Sequence, residues 1–289
     1  MKAWVGIIIL LITAGCISQQ EETLKLATTT STCDTGLLNE LNGVFYEKYR
    51  AKVQVVCMGT GASIKTGEQG GVDVVIVHAP SLEEVSAAEG YYVNRRYLMY
   101  NDFVVIGPEG DPAGIKGMKS AAEAFKKIAS AQATFISRGD NSGTHTKELE
   151  LWKASGIEPE GVWYKSIGKG MGAAINTATA EQGYALADRG TYLAVKGNTN
   201  LKILVEGDAA LFNPYHIMAV NPEKYPDIKY ELAMQYISFL TSPQAQKIIS
   251  NYGIEYTLDP NTGERKPGFG EALFMPAAIG KEVHSVRNE

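Results

Sequence analysis

Short apolar runs alternate with helix-patterned segments along most of this chain, and most runs end in a turn rich in glycine, serine or threonine. "LKLATTT" (24–30) opens as a strand. Leu37, Leu38, Leu41, Val44 and Phe45 then recur with the 3.6-residue period of a helix, which Asp34 is expected to open. "KVQVVCM" is the next strand and ends in Gly59-Thr60-Gly61. After a short helix, "VDVVIVHAP" is continuously apolar, as suits a strand buried on both faces, and "DFVVIGP" and "ATFIS" have the same character. "THTKELELWKASG" reads as a helix with His145, Leu149 and Trp152 on one side and Gly156 as its stop. "AAINTATAEQ" is a further helix, leading to "YALADRGTYLA" and the strand "LKILVEGD". "TSPQAQKIISNYG" carries Ser242 as N-cap, Pro243 in the first turn and Gly253 at the close. Such alternation predicts an α/β fold of parallel sheets covered by helices.

The Pro- and Gly-rich close of "YNDFVVIGPEGDPAG" and the return at "EGDAALFNPYHIMAV" divide the chain into two expected lobes. The first is discontinuous, residues 23–104 plus 212–289, and the second is 105–211. In open α/β sheets a ligand binds where the carboxyl ends of strands meet helix N-termini.

A hydrophobic content of 45% over 289 residues suffices for a substantial core. The net charge of −5 provides no basic stripe, so nucleic acid is not an expected partner. The opening "MKAWVGIIILLITAGC" has one basic residue (Lys2), a short apolar core and then Ala14-Gly15-Cys16. That order predicts a lipoprotein signal cleaved before Cys16, with a lipid on the Cys16 sulfur anchoring the chain to the membrane. Residues 1–22 then comprise the signal and a polar tether, "ISQQEET". The alternative is an uncleaved membrane anchor, and in both cases the globular part lies outside the cytoplasm. Export leaves Cys33 and Cys57 able to pair.

Four strand-to-helix turns carry the polar chemistry: "TTTST" (28–32), "GTGAS" (59–63), "HAP" (78–80) and "SRGDNSGT" (137–144). Such turns present backbone N–H groups and a positive helix end, to which Ser and Thr add neutral donors. Arg138 contributes a permanent charge and a planar fork for two oxygens, with Asp140 placed to hold it. The turns contain no Glu, and His78, His145, His216 and His284 lack metal-ligand spacing, so no metal cation is expected. The guest should be an acceptor-rich tetrahedral oxyanion.

Plainer readings stand beside this one. Ser142 and Thr144 suit helix caps, and Thr28 to Thr32 a cap and turn. Arg138 and Asp140 suit a surface ion pair, and His78 a hydrogen-bonded strand end. Arg-Gly-Asp as an adhesion motif requires an exposed loop tip, whereas here it abuts a buried-type strand. Ser142 as a nucleophile lacks the Gly-x-Ser-x-Gly elbow, and His145 beside it has no acid partner in sequence.

"LATTTS", "YNDFVVIGPEGDPAGIKG", "SRGDNSGTHTKELELW", "WYKSIGKGMGAAINTA", "ALADRGTYLA" and "LVEGDAALFNPY" together resemble the tungstate-binding proteins of Tup-type ABC transporters, over about Leu24 to Gly253. The resemblance implies a two-lobed periplasmic-binding-protein fold of type II. It also implies a cleft that closes on a tungstate dianion and hands it to the permease subunits of an ABC transporter. The family's threonine element falls on Thr28, Thr29, Thr30 and Ser31, and its arginine element on Arg138, Gly139, Asp140, Ser142, Gly143 and Thr144; Ser63 is the corresponding residue of the glycine turn. Asp140 and His78 would support these from behind. The arginine turn is also similar to that of phosphate-binding proteins, which carry Asp where this chain has His78. A carboxylate accepts the proton that phosphate keeps near neutral pH, but it repels a fully deprotonated oxyanion. Against tungstate stand a molybdate, sulfate or phosphate receptor, an enzyme using the anion pocket for a phosphorylated substrate, and an adhesion lipoprotein. No catalytic base, acid or metal set supports the enzyme.

Overall fold

The computed structural model describes residues 21–277, so the lipobox and Cys16 lie outside the described residues. Strand β1 (Glu22–Thr29) is central to the first half of the sheet. It pairs in parallel with β2 (Ala51–Met58) along its whole length and with β3 (Val74–Val77) on its other side. Helices α1 (Thr30–Asp34), α2 (Leu37–Tyr49) and α3 (Thr60–Glu68) make the connections. The α2 stripe Leu37, Leu38, Leu41 and Phe45 is buried, as its period requires. Asp34, however, ends α1 rather than opening α2. Gly36, in the left-handed conformation (φ 77°), separates the two helices, and a side chain there would overlap the Leu258 carbonyl.

After α4 (Pro80–Ala88), the sixteen-residue strand β4 (Tyr92–Gly107) runs far longer than "DFVVIGP" implies. Further along come α5 (Ala121–Ser130), β5 (Phe135–Ser137), α6 (Gly143–Ser155), β6 (Tyr164–Ser166), α7 (Met171–Glu181), β7 (Ala185–Asp188), α8 (Arg189–Val195) and β8 (Lys202–Val205). Then β9 (Phe212–Val220), α9 (Tyr230–Leu240), α10 (Pro243–Asn251), the hairpin β10 (Tyr256–Leu258) with β11 (Arg265–Pro267), and β12 (Met275–Pro276) complete the described chain. The main sheet runs β2-β1-β3-β9-β4-β12, and the last five residues of β4 pair with β7 and β8.

The sheet is mixed, not parallel throughout. β1, β2 and β3 run parallel, but β9 is antiparallel to both β3 and β4, and β4 is antiparallel to β7, β8 and β12. A strand buried on both faces has the same apolar pattern whichever way its neighbour runs, so the pattern does not reveal direction. β4 and β9 form the longest antiparallel pair, from Tyr92 opposite Val220 to Asp102 opposite Phe212.

Two larger apolar clusters flank this frame, beside a smaller one around Val75 and Met218. One packs Leu24, Leu26, Phe45, Ile217, Tyr236 and Phe239 around β1, α2 and α9. The other holds Phe125, Phe135 and Trp152, whose ring centroids lie 4.4–5.2 Å apart. Trp152 anchors α6 there, yet the buried face of α6 is Thr144, Glu148, Leu151, Trp152 and Ser155. Leu149 is 46% exposed, so the predicted His145-Leu149-Trp152 face is displaced by about one residue. A disulfide joins Cys33 in α1 to Cys57 in β2, with Cα atoms 6.3 Å apart.

Candidate functional site

The four turns identified in sequence come together. Ser63 Oγ donates to Thr28 O at 3.0 Å, joining the first turn to α3. A Cβ on Gly61 would lie 3.9 Å from Asn141 O, which brings the glycine turn against the arginine turn. A Cβ on Gly143 would lie 2.5 Å from His78 Cε1, which brings the β3 end against the first residue of α6. Asp34, at the end of α1, lies in the field of Arg138: partial desolvation raises its carboxyl pKa and the guanidinium opposes the rise.

Arg138 is only 4% exposed. Its Nε and Nη2 donate to Asp140 Oδ2 at 3.2 and 2.6 Å, and Nη1 donates to Thr144 Oγ1 at 3.3 Å. These bonds leave two of the five guanidinium N–H groups without a partner among the described residues. Asp140 Oδ1 accepts from the Ser142 backbone N–H at 3.2 Å. Burial pushes the Asp140 carboxyl up, but the bonds from Ser142 and the Arg138 charge outweigh it and hold the pKa below its ordinary value. The turn itself is set by Gly139 and Asn141, both left-handed (φ 60° and 55°); a side chain on Gly139 would overlap Ser166 Oγ.

Several hydroxyls do act as caps. Ser142 Oγ accepts from His145 N at 3.3 Å, and Thr29 Oγ1 accepts from Thr32 N at 3.4 Å. A cap uses the oxygen as acceptor and does not itself engage the hydroxyl hydrogen; Thr29 Oγ1 has a second hydroxyl neighbour in Thr32 Oγ1 at 2.8 Å. Thr29 Oγ1 also lies 3.1 Å from Ser31 Oγ, and Ser31 is buried beside it, while Thr30 is half-buried. Ser63 differs. Its hydroxyl hydrogen goes to Thr28 O and its amide to Gly59 O at 2.9 Å, so it braces two turns together.

Sequence reasoning passed over Thr60, the first residue of α3. It is 1% exposed, and its Oγ1 has no hydrogen-bond partner among the described residues. A buried hydroxyl without a partner costs free energy, which a bound acceptor would recover. Only a full account of partners distinguishes Thr60 from Ser63; the string "GTGAS" treats them alike.

His78 is buried at the end of β3. Its Nδ1 lies 2.9 Å from Asn213 Oδ1 and its ring stacks on Tyr215, centroids 4.6 Å apart. Asn213 Nδ2 donates to Asn101 Oδ1 at 2.7 Å and to Asp188 Oδ2 at 3.3 Å, so Oδ1 is the acceptor and His78 Nδ1 carries the proton. Burial pushes the imidazole pKa below its ordinary value, against the opposing charge of Asp188. His78 is therefore neutral at pH 7. Asp188 also caps α8 through Thr191 N at 3.0 Å and accepts from Asn101 Nδ2 at 2.7 Å and Tyr215 OH at 3.2 Å. This buried network ties the β3 end to β4, β7 and β9. Asn101, Asp188 and Asn213 are scattered over more than a hundred positions, and nothing in their local sequence signals it.

A mixed α/β sheet with anion-type turns gathered at strand ends defines a solute-binding protein, and the chain matches the family described as PBP superfamily domain over residues 17–244. In structure it is similar to the crystal structure of the tungstate ABC transporter from Geobacter sulfurreducens: TM-score 0.75, 56% identity, 80% of this chain and 99% of that one covered. It is also similar to the tungstate-binding protein TupA from Desulfovibrio alaskensis, with TM-score 0.74 and 43% identity over 89% of this chain and 99% of that one. In sequence it is 41% identical to the tungstate-binding protein TupA of Peptoclostridium acidaminophilum over 263 residues, 90% of this chain and 88% of the relative. The chain belongs to the TupA family of tungstate-binding proteins, with the periplasmic-binding-protein fold.

Proposed function

We propose that this protein captures tungstate outside the cytoplasm and delivers it to the permease of an ABC transporter, held at the membrane by a lipid on Cys16. The observation that carries the reading is the buried Arg138, fixed by Asp140 and Thr144 with N–H groups to spare, where four donor-rich turns meet. The relatives are binding components of transporters, which supports a non-enzymatic role.

The proposed division is two lobes, residues 23–104 plus 212–289 and residues 105–211, with the ion in the cleft between them. Thr29, Thr30, Ser31 and Thr60 would donate from the first lobe, and Arg138, Ser142, Gly143 and Thr144 from the second. Ser63, Asp140 and His78 would hold these donors in place. The Arg138 charge is already balanced by Asp140, so the dianion would be held by N–H and O–H dipoles in a site of low dielectric. Such a site favours an oxyanion with no proton of its own. Both Asp140 oxygens already accept hydrogen bonds, and His78 is neutral with its proton directed to Asn213. Hydrogenphosphate would bring an O–H in need of an acceptor. Molybdate would present the same acceptors as tungstate.

Isothermal titration with tungstate, molybdate, sulfate and phosphate tests this, beside Arg138→Ala. Tight one-to-one tungstate binding that is lost in the variant is the expected result. Heat from sulfate or phosphate alone would assign the site to another anion, and no heat from any oxyanion would remove the clamp.

A further inference from the structure

We propose that the Cys33–Cys57 disulfide is a positioning device for the anion site, holding the hydroxyl turn Thr29–Ser31 at a set distance from the Thr60 turn while the cleft is empty. The inference rests on the tungstate-binding reading above and concerns the organisation of that same site.

The bridge stands where the sheet ends and the site begins. β1 and β2 pair up to Thr28 opposite Cys57 and Thr29 opposite Met58, and the ladder stops there. Ser31 lies two residues before Cys33, and Thr60 three residues after Cys57. Among the described residues, the ladder is supplemented at this end by the Ser63 hydroxyl bond to Thr28 O and by the disulfide. Among the described residues β2 is the edge strand of the sheet, paired with β1 alone, and no described strand on its far side steadies the departing chain.

α1 needs such support. It is five residues long, too short for helical hydrogen bonds to sustain it. Its first end is held by the Thr29 cap, and Thr35 just beyond it by Tyr252 OH, which donates to Thr35 O at 2.8 Å. Cys33 is the covalent hold between those points. Gly36 then turns the chain away into α2, so α2 cannot extend backward to stiffen α1.

Placement separates this role from generic stabilisation. A cross-link stabilises a fold mainly by restricting the unfolded chain, and that effect leaves the affinity of the folded protein unchanged. A cross-link that preorganises donors lowers the ordering cost of binding and so changes Kd itself. Cys57 is exposed, so a reductant in solution reaches the bridge.

The test is titration of the full chain with tungstate at 25 °C in three forms: oxidised, reduced with a phosphine, and the Cys33→Ala/Cys57→Ala variant. Circular dichroism establishes that each form is folded, and reoxidation of the reduced protein closes the series. Reduced and variant forms should bind roughly tenfold more weakly or worse, with affinity restored on reoxidation. Equal Kd in folded oxidised and reduced protein would overturn the proposal. Absence of binding by the oxidised protein would overturn the tungstate reading, and this inference with it. If the alanine pair fails to fold, hydrogen exchange of the ligand-free protein decides. Reduction should speed exchange at the Thr32 to Thr35 amides while the β3 and β9 amides keep their protection; a uniform change would count against a local role.

Discussion

The ring of His78 lies so close to Gly143 that a single methyl group on that glycine would come within 2.5 Å of Cε1. The ring has little freedom to retreat, being buried, stacked on Tyr215 and bonded to Asn213. In the proposed two-lobed arrangement the two residues belong to opposite lobes, so their contact would form only when the cleft is shut.

Gly143→Ala should therefore obstruct closure. Overpacking of this kind costs about 1–3 kcal/mol, so tungstate affinity should fall roughly 5- to 150-fold, with the melting temperature of the ligand-free protein little changed. Adding His78→Ala to the same chain removes the obstructing ring and should recover part of the loss. Wild-type affinity in the single variant, measured by titration, would show that closure does not depend on this contact.

Thr60→Val separates a ligand contact from a structural hydroxyl. The exchange is close in shape, and Thr60 Oγ1 has no partner among the described residues to lose. Stability of the ligand-free protein should hold or rise by up to about 1 kcal/mol, because an unsatisfied buried hydroxyl is removed. Tungstate affinity should fall roughly tenfold, the value of one hydrogen bond to an anion. Ser63→Ala should do the reverse in emphasis, lowering the melting temperature by freeing Thr28 O. Thermal melts and titrations on both variants check the contrast.

Arg138→Lys keeps the charge and loses the fork. An ammonium cannot bond Asp140 and Thr144 as the guanidinium does while still presenting N–H groups to a guest. Binding should weaken on the order of a hundredfold, and Arg138→Ala should abolish it. The alanine variant should also be less stable without ligand by about 3 kcal/mol, since Asp140 is left half-buried without its partner. Chemical denaturation of the ligand-free proteins measures that difference.

Local physics made much of this legible in sequence. The α2 stripe and the Ser242 cap of α10, whose Oγ accepts from Ala245 N, depend on neighbours a few residues away. The four turns were visible because strand ends, glycines and hydroxyls adjoin in the chain. What escaped depended on distant partners. Gly36 separates α1 from α2 because Leu258 lies against it, more than two hundred positions on. The direction of β4 and β9 leaves no mark on an apolar run. Glu148 looks like a solvent-facing residue of α6, and only the placement of Trp152 and Tyr164 shows it buried.

Glu148 makes the last prediction, a pH dependence. It is 1% exposed, its Oε1 accepts from Trp152 Nε1 at 3.2 Å and Tyr164 OH at 2.7 Å, and burial raises its pKa to about 7 despite those bonds. The unfolded chain titrates this group near 4.5. Between the two values the folded state holds a proton that the unfolded state has released, so its contribution to stability falls as pH rises. The contribution is fully present below 4.5 and declines through the window up to about 7. The full difference is on the order of 3 kcal/mol. Glu148→Gln keeps an acceptor for Trp152 and Tyr164 but cannot ionise. The ligand-free variant should lose this dependence, so its melting temperature should exceed the wild type's by more at pH 7.5 than at pH 5. Parallel pH profiles for the two proteins would refute the assignment.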